Sequence, residues 1–329
     1  MGRAIAQVLV VLTLAPIIRL SAFPFEAAVS AQHATAHSAE GQKTHGATGL
    51  KTGTATGRKT HRATSTSTPI GVSVTSPANL RQETSEFGRL PAVRIFYDGL
   101  PNSNAWTSGL PADADATTVI SFNARPSTIL SGADDAQLSH FFDTAPKTGH
   151  PIYYNFIHEP EVPIASGQFS AASYRAAFTH IIDIANAAHN PNLHSTTLLM
   201  AYDIRKSSHR NWLDYVPTGI QCLGWDAYPT GSAGSNLQHP QLTPPAQFLG
   251  PEIALAKSVG LPYGFGEFGL NTAHGRPGWL TSVGNYLLSS GSAFATLFNS
   301  PITTAGRTMK LTDAASIAAW RAIVARSEG

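Results

Sequence analysis

From Pro69 onward, short runs rich in β-branched and aromatic residues alternate with amphipathic stretches, and this alternation constrains the fold more than any other feature of the chain. The strand-like runs read "IGVSVT", "AVRIFYD", "TTVISFN", "PIYYNFI", "TTLLMAY", "CLGWDAY", "PYGFGEF" and "AFATLFN". Between them lie helix-like segments: "ADDAQLSHFFDTAPKTG", "SAASYRAAFTHIIDIANAAH", "PAQFLGPEIALAKSVG", "PGWLTSVGNYLLSSG" and "DAASIAAWRAIVAR". Ser, Asp and Gly fall near their starts and stops. Eight strands separated by helices over roughly 260 residues predict an α/β chain closed into a (β/α)8 TIM barrel rather than an open doubly wound sheet. No G-x-G-x-x-G or phosphate loop follows the first strand, which removes the main reason to expect the open sheet.

In such a barrel the C-terminal strand ends form the active face, so the polar residues ending the strands are the site candidates. These are Ser76, Asp98, Asn123, Glu159, Asp203, Asp226, Glu267 and Asn299. "YYNFIHEPEV" runs an apolar fourth strand straight into His158, Glu159 and Glu161, and "GFGEFG" ends the seventh strand at Glu267. Fourth and seventh strands stand across the ring from each other, so Glu159 and Glu267 are predicted to face each other over the mouth. Facing carboxyls are what glycosidic bond cleavage requires: one protonates the leaving oxygen, the other attacks the anomeric carbon or activates water. Around them, Tyr97, Trp106, Trp225 and Trp279 either stack on sugar faces or pack the barrel. Asn123 and Asp226 are expected to touch substrate; Asp98, Asp203 and Asp226 also fit as acceptors for loop amides. His158 either caps the strand and bonds Glu159 or reaches the substrate, and Glu161 is read as a loop carboxylate.

A Glu ending the fourth strand and a Glu ending the seventh resemble the acid/base and nucleophile of the clan A glycoside hydrolases. His158 directly before Glu159 resembles family 26, whose members include β-mannanases, and "GWDAY" is similar to that family's tyrosine-bearing segment. The resemblance spans residues 69–329. It implies a retaining hydrolase of β-mannan or β-glucan, with Glu159 as acid/base, Glu267 as nucleophile, Tyr228 as the nucleophile's hydrogen-bonding partner and no cofactor. The chain also departs from the pattern. "TLFNS" stands where many clan members carry a tryptophan ending the eighth strand, and the arginine and tryptophan common before the histidine in family 26 mannanases are missing. A divergent member is the description that follows.

Ahead of the barrel, Arg3, the apolar run "AIAQVLVVLTLAPII" and small residues up to "AVSAQ" read as a signal peptide over residues 1–31, so secretion is expected. Residues 32–68 turn to His, Thr, Ser, Ala, Gly, Lys and Arg without one aromatic, a disordered basic linker that could rest on an anionic cell wall. The first 68 residues carry a net charge of +5, against 15 basic and 18 acidic residues after them. A folded part with net negative charge disfavours nucleic acid as a partner and leaves a neutral polysaccharide or oligosaccharide. Cys222 is the single cysteine, so no internal disulfide forms, and it reads as a small buried hydrophobe. A monomer is expected. Two rival readings use the same residues: a metal-dependent hydrolase built on His158, Glu159, Glu161 and Asp226, and a non-catalytic carbohydrate-binding barrel. No H-E-x-x-H spacing supports the first, and retention of both Glu159 and Glu267 argues against the second.

Overall fold

Nine strand segments form one parallel sheet, in the order β5-β4-β3-β2-β1-β9-β8-β7-β6. They are β1 (Ile70–Val74), β2 (Ala92–Tyr97), β3 (Thr117–Phe122), β4 (Ile152–Phe156), β5 (Leu193–Ser195), β6 (Leu199–Met200), β7 (Leu223–Asp226), β8 (Tyr263–Phe268) and β9 (Ala295–Leu297). The computed structural model describes residues 67–205, 208–229, 239–301, 303–304 and 307–328. The predicted signal peptide and residues 32–66 of the predicted linker lie outside the described residues. Among the described residues, no helix is long and apolar enough to cross a membrane.

The outermost segments of the sheet, β5 and β6, are two halves of one barrel strand. β5 pairs with β4, Thr196 bridges to Cys222, and β6 pairs with β7, so the stretch from Leu193 to Met200 bonds on both sides and closes the ring. Eight strand positions result, as the alternation predicted. The fifth begins earlier than its "TTLLMAY" run suggests and ends sooner, because residues Ala201–Ile204 wind into a 3-10 turn.

Buried on both faces, these strands read as near-continuous apolar runs. Inside the ring, Val119, Tyr153, Leu198, Cys222 and Phe294 pack as a plug below the mouth, which gives Cys222 the buried apolar place expected of it. The larger core lies between ring and helices. Helix α5 (Ala171–Ala187) shows how it is built: Ser170 caps the first turn by accepting from the Ser173 N–H, and Tyr174, Phe178, Ile181 and Ile182 all point inward. Tyr174 stacks on Phe156 of β4 at 6.0 Å between ring centres. The other helices are α1 (Pro77–Phe87), α2 (Pro126–Leu130), α3 (Asp135–Asp143), α4 (Glu161–Ala165), α6 (Pro245–Phe248), α7 (Gly250–Val259), α8 (Arg276–Leu288) and α9 (Ala314–Ser327). "PAQFLGPEIALAKSVG" is thus two helices, broken ahead of Pro251, where the ring cannot supply an N–H.

Candidate active site

Glu267 reaches the mouth through an irregularity in β8. Tyr263 and Phe265 lie in the outer core, so strict alternation would send Glu267 outward as well. Instead the register of β8 shifts against both neighbours, between Trp225 and Asp226 on one side and between Phe265 and Phe268 on the other. The extra residue re-aims Glu267 inward, the usual effect of a β-bulge. Both glycines of "GFGEF" are needed for what lies inside. A Cβ on Gly264 would sit 2.4 Å from the Phe294 ring, and one on Gly266 would sit 2.8 Å from both Arg94 Nη1 and Asp226 Oδ1.

Glu159 is aimed by strained backbone. After β4 the chain turns through Ile157 at φ 54° and Glu159 at φ 47°, left-handed values that cost a non-glycine residue roughly 1–3 kcal/mol. Two backbone bonds hold the turn: Ile157 N–H donates to Phe122 at 2.9 Å, and Glu159 N–H donates to Leu198 at 2.8 Å.

The result is three clustered carboxyl groups, two of them bonded to one guanidinium. One carboxylate oxygen from each of Glu159, Asp226 and Glu267 lies within 4.8 Å of the other two. Arg94 Nη1 donates to Asp226 Oδ1 at 2.8 Å and lies 3.1 Å from Glu267 Oε1, while the Tyr228 hydroxyl donates to Glu267 Oε2 at 2.6 Å. Arg94 is fully buried, its guanidinium carbon 4.5 Å above the Phe96 ring, and Phe96 meets the His158 ring edge-on at 5.5 Å. Such a trio of carboxylates could hold a metal ion, and two of its members, Asp226 and Glu267, already share the Arg94 guanidinium as a partner.

Burial raises the Glu159 carboxyl well above the ordinary range, and the negative charges of Asp226 and Glu267 push it further while Arg94 pulls against them. Asp226 is pushed up to about 7, again mainly by burial, with Arg94 opposing. His158 is driven down to about 3 by burial and then by Arg94, so its ring stays neutral. Its Nδ1 has no hydrogen-bond partner among the described residues. At the mouth, then, Glu159, whose carboxyl holds its proton more tightly than an ordinary one, stands beside a Glu267 oxygen pair that accepts from Arg94 and Tyr228.

Of the residues singled out in the sequence, the fold gathers Glu159, Glu267, Asp226 and Tyr228 around Arg94, with His158 beside them. Tyr97 and Asn123 lie half-buried at the adjoining ends of β2 and β3. Trp225 requires a correction. Because Asp226 points into the ring, its neighbour points out, and Trp225 is 0% exposed against Trp212 in the outer core, where no sugar can reach it. Trp106 stacks on Phe141 at 5.2 Å and donates its indole N–H to the Phe141 carbonyl, so its ring is engaged in packing. Trp279 is buried against Phe248 in the same way. At the end of the eighth barrel strand, Asn299 donates to Glu83 Oε2 of α1 at 2.6 Å and accepts from Leu311 N–H, a structural tie. Asp203 is held by Arg210 at 3.0 Å. The residue that sequence reading missed is Arg94. Its signal was present: a lone cation inside the apolar strand "AVRIFY" must find a buried partner.

Neither a protein-family model nor a curated protein sequence matches the chain. Solved structures do share the fold. A GH5-4 broad specificity endoglucanase from Ruminococcus champanellensis aligns with a TM-score of 0.51 at 12% identity, over 78% of this chain and 95% of that one. A modular endo-β-1,4-mannanase from Cellulomonas fimi, of glycoside hydrolase family 26, aligns with a TM-score of 0.51 at 14% identity, over 79% and 70%. XacCel5A in complex with cellopentaose reaches a TM-score of 0.55 at 8% identity, over 78% and 99%. At such identities the likeness establishes the barrel.

Proposed function

We propose that this protein is a retaining hydrolase of β-linked polysaccharide, with Glu159 as acid/base and Glu267 as nucleophile. The observation that carries the reading is the approach of Glu159 and Glu267 to within 4.8 Å, oxygen to oxygen, with Glu267 held by Arg94 and Tyr228. Retention needs carboxyl groups about 5–5.5 Å apart, whereas inversion needs about 6.5–9.5 Å to admit a water. In the first step Glu267 attacks the anomeric carbon while Glu159 gives its proton to the departing oxygen. In the second, Glu159, now a carboxylate, takes a proton from water as that water displaces Glu267. Arg94 and Tyr228 hold the nucleophile's two oxygens in place, and the neutral His158 packs its ring against Phe96 beside Glu159. The similarity to endoglucanase and mannanase structures supports β-glucan or β-mannan as the substrate class, and His158 preceding Glu159 supports a place near family 26. The leader-like residues 1–31 support secretion, and the basic residues 32–68 support contact with a cell wall.

The test is the pH profile read together with Glu159→Ala. Activity requires Glu159 protonated, and its raised pKa places the alkaline limb of kcat/KM above the ordinary carboxyl range, with rate falling as pH climbs through it. Glu159→Ala should lose that limb, spare the first step for aryl glycosides with good leaving groups, and regain turnover with azide as a β-glycosyl azide. A wild-type rate still climbing at alkaline pH, or a Glu159→Ala variant with unchanged turnover on polysaccharide, would contradict the assignment.

A further inference from the structure

Two buried oxygens beside the site, Glu161 Oε2 and Asp203 Oδ2, lack a hydrogen-bond partner among the described residues. Both residues are essentially unexposed, at 0% and 1%, and their carboxyl groups are in hydrogen-bonding contact with each other. Two carboxylates only accept, so that contact is empty unless a proton lies in it. We propose that Glu161 carries one proton and donates it to Asp203, and that the resulting acid–carboxylate pair positions the loop bearing Glu159. One proton then satisfies both orphaned oxygens at once.

The partners on either side say which residue holds it. Asp203 Oδ1 is bonded by Arg210 Nη1 at 3.0 Å, a cation that favours the ionised form. Glu161 Oε1 accepts from the neutral Met200 N–H at 3.0 Å, and no cation among the described residues is bonded to it. The other groups facing the pair are Tyr174 from α5 and Tyr215 from the turn Trp212–Tyr215, both kept protonated chiefly by burial, and Glu159, whose charge further disfavours ionising Glu161. Burial and the neighbouring acids raise Glu161 well above the ordinary carboxyl range, in agreement with this arrangement.

The pair acts on Glu159 through the chain. Glu159 N–H is tied to Leu198, and two residues on, Glu161 is tied to Met200 of the same barrel strand. The strained residue between these ties is held from both sides, so its carboxyl keeps one position over the mouth. This positioning role rests on the reading of Glu159 as the acid. The shared proton does not.

Thermal unfolding of the full chain across pH, for the unaltered protein, Glu161→Gln, Glu161→Ala and Asp203→Asn, tests the pair without any substrate. Because native Glu161 binds its proton more tightly than the unfolded chain does, its contribution is complete at low pH and is lost as pH rises through the elevated native value. Glu161→Gln, which keeps a donor toward Asp203, should therefore match the unaltered protein at or below about pH 4 and gain on it as pH rises above the usual carboxyl range. Asp203→Asn takes the negative charge away from Arg210, leaving only an amide oxygen to accept from it, and should lower Tm by roughly 6 °C or more throughout. With an aryl glycoside, Glu161→Ala should lower kcat by about 10- to 100-fold with little change in KM, and Glu161→Gln should restore most of it. The proposal is overturned if Glu161→Gln falls as far as Glu161→Ala with the original pH slope, or if Asp203→Asn is tolerated and Glu161→Gln is not. Absence of glycosidase activity in the unaltered protein would remove the positioning role, while the pH–stability comparison would still decide the proton.

Discussion

Replacing Glu267 with alanine is expected to lower kcat/KM by about 10⁴-fold or more, a loss of at least ~5.5 kcal/mol of transition-state stabilisation. Among the described residues, no other group at the mouth is placed to substitute for it. Asp226 lies within 4.8 Å but is bonded to Arg94 and only 3% exposed, and Glu159 is the proton donor. The fold should survive, because Arg94 keeps Asp226 as a partner when Glu267 is removed. Tm and kcat/KM measured on the same preparation separate the two effects. Azide adds a second readout that depends only on counting inversions at the anomeric carbon. With Glu267→Ala, any glycosyl azide must form by one direct displacement and be the α-anomer, whereas Glu159→Ala should give the β-anomer through two. The opposite pattern would exchange the roles of the two glutamates.

Arg94→Met should produce the largest loss of stability of any single change at the site, about 3–5 kcal/mol, or a fall in Tm of roughly 10 °C. Methionine fills much of the volume, so the loss is electrostatic. Three carboxyl groups would remain within 4.8 Å of one another with no cation between them, and Asp226 Oδ2 already has no partner among the described residues. Such groups can stay buried only by taking up protons, and with Arg94 no longer opposing the effect of burial the Asp226 carboxyl should move up further still. Arg94→Lys should recover part of the stability, since a single ammonium cannot fork between both acceptors as a guanidinium does. A variant Arg94→Met with unchanged Tm would show that the guanidinium is not the keystone described here.

The barrel was legible in the chain because strands buried on both faces leave uninterrupted apolar runs, and seven of the eight fell where those runs lie. "TTLLMAY" misled because its apolar residues continue past Met200 into a 3-10 turn, where burial persists after strand pairing has stopped. Glu159 and Glu267 could be picked out by their place at strand ends, but not the means by which they converge. The bulge that turns Glu267 inward and the left-handed φ of Ile157 and Glu159 are backbone events without a local sequence signal strong enough to read. Trp225 was misassigned for the same reason in reverse: side-chain facing depends on register, and only the inward Asp226 reveals that its neighbour faces out. Glu161 looked like a loop acid because it follows a proline, yet the helix beginning there carries it under the site.

The most direct measurement of the central claim is the anomeric configuration of the first product, followed by proton NMR from the earliest turnovers on a panel of β-mannans and β-glucans. Two displacements at carbon, by Glu267 and then by water, should release the β-anomer first, with the α-anomer appearing only as mutarotation proceeds. An α-anomer formed first, or no hydrolysis of any polymer in the panel, would contradict it.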